Sequence, residues 1–333
     1  MGRVNFWKNK KVLVTGFEGF IGSNLTRSLV DSGALVFGLD IVTKRKGTVL
    51  EGRYRSKISA TKGSVTDITL VEKILKKNGI DTVFHLAAEA IVSKGLENPA
   101  KSFSTNVEGT WKVLDSCRKT RSVRAIVIAS SDKAYGSHEN LPYKETTPLN
   151  GKNPYDASKS CADIVAGSYC HAYGVPGAIT RCGNVYGPGD LNFSRLIPEA
   201  IRCALIGKKF TIRSDGKFLR DYVYIDDIVS GYKLIAEKMK SLDLRGEAFN
   251  LSDGRPYKVL DIVKMILSIT GARSGYKILD KAEYEIKNQY LDPAKARRVL
   301  GWSTGSGIEE GLQRTIDWYR GFFQKRGTNG KYL

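Results

Sequence analysis

Apolar positions along the first half of the chain follow two alternating rhythms. Short unbroken apolar runs give way to stretches in which apolar residues recur every three or four positions. The first rhythm predicts buried parallel strands and the second predicts amphipathic helices. Val12-Leu13-Val14 opens the series as a strand, and Ile21, Leu25, Leu29 and Val30 then share a helix face that stops near Gly33. Leu35-Val36-Phe37-Gly38-Leu39 reads as the second strand and residues 58–65 as the third. A helix is expected over 67–77, with Leu70, Val71 and Ile74 on one side. Strands are expected over 82–88, 125–130 and 177–185, and long helices over 99–118 and 153–173. This alternation predicts an α/β fold, a doubly wound parallel sheet with helices on both faces.

Past residue 185 the rhythm loosens. Residues 196–206 and 259–269 read as helices, and 247–251 as a strand that rejoins the sheet. Residues 1–185 are therefore expected to form the sheet domain. Residues 186–333 form mainly a smaller, interleaved lobe over the C-terminal edge of the sheet, with a segment near 220–252 returning to the first domain. No solenoid-length repeat or low-complexity linker interrupts the chain.

Composition narrows the class. The chain has 333 residues, 41% hydrophobic and 26% charged, as in ordinary soluble globular proteins. No apolar run approaches the roughly 18 to 20 residues of a membrane span, so no membrane partner is expected. The stretch Met1 to Lys8 lacks an apolar core followed by a cleavage site. It does not read as a signal peptide, and the expected location is cytoplasmic. The five cysteines form no CxxC pair and read as free thiols. Three scattered histidines give no metal site. The net charge of +19 favours an anionic partner: a dinucleotide, a nucleotide sugar, nucleic acid or a membrane surface. The basic run Lys44-Arg45-Lys46 lacks the interleaved aromatics of a nucleic-acid stacking surface, so it reads as a solvated loop.

Candidate chemistry gathers in three places. Gly16, Gly19 and Gly22 lie between the first strand and the first helix. There they allow close backbone approach to a pyrophosphate at a helix N-terminus. Asp40 ends the second strand at the spacing of an acid that hydrogen-bonds an adenosine ribose. Tyr155 and Lys159, at i and i+4 near a helix start, share a face. A lysine ammonium beside a phenol lowers its pKa, so the tyrosine can exchange a proton near neutrality. Ser131-Asp132-Lys133 puts a hydroxyl, a carboxylate and an amine at the end of an apolar strand. That is the sheet edge at which ligands of open α/β proteins bind.

Over nearly its whole length the chain resembles the extended short-chain dehydrogenase/reductase family. Gly16 to Gly22 looks like the family's GxxGxxG loop. His85-Leu86-Ala87-Ala88, Thr105 to Thr110, Tyr155 to Lys159, Arg181 to Gly189 and Arg220 to Asp227 look like further landmarks in the right order. The resemblance implies a Rossmann-type sheet that binds NAD, and a homodimer in which the helices near 99–118 and 153–173 pair into a four-helix bundle. It implies cofactor contacts at Gly16, Gly19, Phe20, Ile21, Gly22 and Asp40. Further cofactor contacts are implied at Ser64, Val65, Leu86, Ala87, Ala88, Asn106, Tyr155 and Lys159. Ser64-Val65 stands where the family usually has Asp-Ile against the adenine, and Glu89 to Val92 lies between the patterns of several substrate branches.

Within the family, Ser131-Asp132-Lys133 is similar to the triplet of nucleotide-sugar 4,6-dehydratases, and its Asp-Lys form resembles CDP-glucose 4,6-dehydratase. The epimerases usually carry small residues there. The resemblance implies that Tyr155 takes the proton of the sugar 4-hydroxyl while Lys159 tunes it and holds the nicotinamide ribose. Ser131 hydrogen-bonds the 4-oxygen, Lys133 removes the C5 proton, and Asp132 protonates the departing 6-hydroxyl. A neutral Lys133 is needed for that role. The nucleotide-diphosphate hexose is expected at Glu89, Asn184, Arg195, Leu196 and Arg220, the arginines pairing with diphosphate oxygens. The rival readings are a nucleotide-sugar 4-epimerase and a dehydrogenase-like nucleic-acid binder. The complete Tyr155, Lys159 and triplet set argues against the latter.

Overall fold

The protein is described by a computed structural model covering residues 5–281 and 286–326. The start of the stretch read for a leader (1–4) and parts of the C-terminal lobe (282–285 and 327–333) lie outside the described residues.

The order of elements follows the alternation in the sequence. β1 (Lys11–Thr15), α1 (Phe20–Asp31), β2 (Leu35–Asp40), β3 (Ile58–Lys62), α2 (Ile68–Asn78) and β4 (Thr82–His85) form the first half of the winding. α3 (Val92–Glu97), α4 (Pro99–Phe103) and α5 (Gly109–Arg118) follow, then β5 (Ala125–Ala129), α6 (Pro154–Tyr173) and β6 (Gly177–Cys182). α4 and α5 are one helical run, joined through the wider π turns of Ser104–Glu108. Asp67 stops the preceding loop by accepting the N–H of Leu70 at 3.0 Å, and Gly79 ends α2 in the left-handed conformation.

Seven strands among the described residues make one parallel sheet in the order β10-β6-β5-β4-β1-β2-β3. Its last member, β10 (Ala248–Leu251), pairs with β6, as expected for the strand that rejoins the sheet. Alternate residues feed two cores. Val12 and Val14 pack with Leu25 and Leu29 of α1 on one face. Leu13 packs with Val71 and Leu75 of α2 and Val113 and Leu114 of α5 on the other. Burial on both faces is why these strands read as unbroken apolar runs.

The strand expected over 177–185 is two strands. The chain leaves the sheet at Gly183, and β7 (Asn184–Tyr186) belongs to a second sheet. A Cβ at Gly183 would stand 2.6 Å from the Asp221 carboxylate, so only glycine passes this point without displacing it. β3 and β4 also stop three residues earlier than the sequence suggests, where the chain turns into the loops of the sheet edge.

The remaining elements are α7 (Leu196–Leu205), β8 (Phe210–Ile212), β9 (Leu219–Tyr224) and α8 (Ile225–Lys238). After β10 come β11 (Pro256–Lys258), α9 (Val259–Thr270), β12 (Tyr276–Ile278), β13 (Asn288–Gln289) and α10 (Ile308–Arg326). β9 is the spine of the second sheet and pairs with β7, β11 and β13. α8 returns to the main sheet, burying Ile228 and Ile235 on the α1 side. No helix among the described residues is long and apolar enough to cross a membrane.

Candidate active site

The C-terminal ends of β1, β2, β4 and β5 open onto one edge, covered by the second sheet. Gly16 there adopts φ 71°, and a Cβ on it would meet the Ala87 backbone nitrogen at 2.8 Å. A Cβ on Gly22 would stand 2.1 Å from the Gly16 carbonyl. The glycine loop is therefore pressed against the β4 loop and against its own helix, with Gly19 preceding the first turn of α1. Thr15 fastens the two loops: its Oγ1 accepts the N–H groups of Leu86 and Ala87, both at 3.2 Å. His85 bridges Thr15 and Thr110 through its two ring nitrogens, at 2.9 and 3.0 Å. Burial pushes the ring down to about 3, so it is neutral and structural.

Asp40 accepts the backbone N–H of Glu18 and of Val42, each at 3.1 Å, which sets a carboxylate beside the glycine loop. Phe20, Ile21, Leu86, Ala87 and Ala88 are half-buried along the same edge. A glycine cradle that a Cβ would fill, a helix N-terminus and an acid at the next strand end fit an adenine dinucleotide. Three expected cofactor residues are engaged within the protein. Ser64 bonds Thr66 Oγ1 at 2.7 Å, and Val65 is buried against Gly109. Asn106 accepts the Glu89 N–H at 2.8 Å and donates to Ser158 at 2.8 Å, pinning the β4 loop onto α6.

The residues expected to act as acid and base meet at the end of β5. Ser131 Oγ accepts the N–H of Lys133 at 3.2 Å and donates to Asp132 Oδ1 at 2.9 Å, folding residues 132–135 into one tight helical turn. That turn brings Lys133 Nζ to 3.2 Å from Asp132 Oδ2. The carboxylate side chain is only 4% exposed. Tyr155, the second residue of α6, is buried beside them. Burial pushes its phenol up to about 12, while Ser131 and Arg195 pull it down. Burial pulls Lys159 down to about 8, and its Nζ donates to the Ala129 carbonyl at 2.8 Å. The expected direct lowering of the phenol by Lys159 is thus replaced: Lys159 binds the end of β5, and Ser131 and Arg195 act on Tyr155.

The expected sugar-diphosphate residues divide. Arg195 stands just before α7, pairs with Asp190 at 3.0 Å and reaches the Tyr155 side of the site, with Leu196 half-buried next to it. Asn184 donates to the Asp221 carbonyl at 3.0 Å. Arg220 is braced on backbone carbonyls, donating to Leu219 and Lys287 at 2.8 Å and to Ile286. The Glu89 carboxylate faces Lys101 at 3.7 Å.

Three further groups were not singled out by sequence reasoning. Asp156 is 5% exposed, has one carboxylate oxygen without a partner, and is pushed up to about 6 by burial. Asp221 is fully buried and pushed up to about 7, first by burial and then by Asp132. Both have positional signals, one following Tyr155 and the other inside a family landmark. Gln289 of β13, also fully buried, contacts Lys133 and has no sequence signal at all.

The profile of the NAD dependent epimerase/dehydratase family matches residues 12–252. The chain is 30% identical over 320 residues to an Arabidopsis thaliana trifunctional UDP-glucose 4,6-dehydratase/UDP-4-keto-6-deoxy-D-glucose 3,5-epimerase/UDP-4-keto-L-rhamnose-reductase. That match covers 93% of this chain and 47% of the other, so the chain spans about half that relative's length. It is also 30% identical over 336 residues to CDP-glucose 4,6-dehydratase of Salmonella typhimurium, covering 96% of this chain and 93% of that one. Among solved structures, dTDP-glucose 4,6-dehydratase of Streptomyces venezuelae, with NAD and TYD bound, superposes with a TM-score of 0.84 at 30% identity. That covers 93% of this chain and 97% of the other. UDP-glucose 4-epimerase of Thermotoga maritima, with UDP-glucose, gives 0.86 at 30% identity over 93% and 99%. The Rossmann-type sheet, the glycine cradle and these matches agree: the chain belongs to the NAD-dependent epimerase/dehydratase family of extended short-chain dehydrogenases/reductases, with nucleotide-sugar 4,6-dehydratases among its homologues.

Proposed function

We propose that the protein is a nucleotide-sugar 4,6-dehydratase acting on CDP-glucose. The observation that carries the reading is the Asp132–Lys133 pair, 3.2 Å apart and largely withdrawn from water beside Tyr155. A 4-epimerase needs a proton acceptor at O4 and nothing more. Expelling water needs an acid and a base as well. The choice of base and hexose is supported by the Asp-Lys form of the triplet and by the likeness to CDP-glucose 4,6-dehydratase.

NAD would be held by the glycine loop, Asp40 and Lys159, and would supply a reversible two-electron acceptor for the sugar. Tyr155 takes the proton of the 4-hydroxyl, and Ser131 hydrogen-bonds the same oxygen. The resulting ketone makes the C5 proton acidic. Asp132 and Lys133 then act as one unit. Moving a single proton across their contact converts carboxylate plus ammonium into carboxylic acid plus amine, with no change in net charge. The Lys133 amine takes the C5 proton, Asp132 gives its proton to the departing 6-hydroxyl, and water leaves. The pair is left as carboxylate and ammonium. Lys133 then returns a proton to C5 as the acceptor would give its two electrons back with hydrogen at C6, and Asp132 regains a proton from solvent as Tyr155 releases the one it took.

The assembly is a homodimer through the α4–α5 run and α6, the latter leaving Ile164 and Tyr173 61% and 60% exposed. Residues 1–185 with the returning α8 and β10 hold the cofactor, and most of the remainder holds the sugar nucleotide. Five free cysteines suit a reducing cytoplasm. Incubation with CDP-, dTDP- and UDP-glucose, followed by mass spectrometry, tests the reading. Loss of one water, fastest from CDP-glucose, is expected. A product of unchanged mass with inverted C4 would instead establish the epimerase, to which the similarity with UDP-glucose 4-epimerase points.

A further inference from the structure

Lys133 has a second partner besides Asp132, and it arrives from the other end of the chain. Gln289 is completely buried, and its side-chain carbonyl accepts from Lys133 Nζ. Its amide nitrogen donates to the backbone carbonyl of Asp132 at 3.0 Å. One carboxamide therefore grips both members of the pair. Its backbone is tied to β9, and the residues around it are bonded in turn. Gln289 pairs with Arg220 across β13 and β9, and Arg220 holds the carbonyls of Ile286 and Lys287. Tyr143 N–H bonds the Tyr290 carbonyl at 3.0 Å, and Leu291 N–H bonds Asp221 at 3.2 Å.

We propose that Gln289 is the positioning residue of the elimination step, holding Lys133 over the substrate while leaving it free to carry either one proton more or one fewer. This rests on Lys133 being the base. The chemistry of the side chain suits the task. A carboxamide oxygen accepts from an amine and from an ammonium alike, and it carries no charge that would fix the proton on lysine. The charged groups facing Lys133 are Asp132 in its own turn, Asp156 from α6 and Asp221 from β9. A fourth carboxylate at position 289 would favour the ammonium strongly. The amide gives geometric control without that electrostatic penalty.

The test compares Gln289→Glu, Gln289→Met and Lys133→Met with the unaltered enzyme, on whichever of CDP-, dTDP- or UDP-glucose it dehydrates fastest. Gln289→Met keeps the length and loses both hydrogen bonds. It should lower kcat for water loss by about 10- to 100-fold, as expected for a misplaced reacting group, with KM nearly unchanged. Gln289→Glu, almost the same shape, should move the base-side limb of the pH–kcat profile up by about one unit. A merely structural glutamine would not produce that shift. If Lys133→Met abolishes water loss but Gln289→Glu leaves the profile in place and Gln289→Met leaves kcat intact, the positioning role falls and the base stands. If Lys133→Met dehydrates at the normal rate, the base reading falls and takes this role with it.

Discussion

Lys159 donates to the carbonyl of Ala129 across 2.8 Å, so the helix that carries Tyr155 is moored to the end of the strand that presents Ser131, Asp132 and Lys133. Two chemical devices thus share one rigid support, and each can be disabled without dismantling the other. Asp132→Asn keeps the shape and removes the acid. Lys133→Met keeps most of the length and removes the amine. In both, adding substrate should build up reduced, enzyme-bound cofactor, seen by its absorbance. The 6-deoxy product should fall by roughly two to four orders of magnitude, as for loss of a general acid or base. Tyr155→Phe should give no reduced cofactor. Wild-type turnover in the Asp132 and Lys133 variants would reduce the triplet to a strand cap.

Cofactor choice follows from Asp40. Its carboxylate is held in place by two backbone N–H groups and would lie against a 2′-phosphate. NADP should bind more weakly than NAD by about one to two orders of magnitude, the scale of a close like-charge contact. Calorimetric titration of both dinucleotides decides it, and equal affinities would count against the assignment of Asp40.

Assembly is testable through α6. Light scattering at micromolar concentration should give about twice the 36.8 kDa chain mass. Ile164→Asp, on the exposed face of that helix, should shift the protein toward the single-chain mass. A wild-type protein that scatters as one chain would remove the dimer.

Asp221 makes stability depend on pH. Burial raises its folded-state value to about 7, whereas an unfolded aspartate titrates near 3.9. Between those values the folded protein holds a proton that the unfolded chain has lost. Stability therefore falls as pH rises through this window, and the full penalty is present above about 7. Asp156 adds a smaller effect of the same sign below about 6. Asp221→Asn should shrink the drop in Tm between pH 5 and pH 8 by roughly 2 to 5 °C. The same drop in both proteins would show that Asp221 does not titrate in that range.

The parallel sheet was legible because strands buried on both faces leave unbroken apolar runs, and because glycine and aspartate mark their ends. The break at Gly183 was not, since apolar residues continue through Val185 and Tyr186 on the far side, now in another sheet. Tyr155, Lys159 and the triplet were visible through spacing. Spacing gave the face that Tyr155 and Lys159 share, but it could not give the acceptor waiting for the lysine. That acceptor is a backbone carbonyl of β5, which no side-chain pattern encodes. Arg220 was legible as a residue, but not its bracing on the carbonyls of Ile286 and Lys287, which come from a segment far along the chain. Gln289 lies in an unremarkable polar stretch, and only the pairing of β13 with β9 gives it meaning.

The separation of Gln289 from Lys133 along the chain, 156 residues, also sets a schedule for biosynthesis. A ribosome adding about 5 to 20 residues per second brings Gln289 out roughly 8 to 30 s after Lys133. By then the residues of the main sheet, which ends with Leu251, have already been made. The residues of the nucleotide cradle are thus made well before the residue that clamps Asp132 and Lys133, and the α10 residues Leu312, Ile316 and Tyr319 that complete the core come later still.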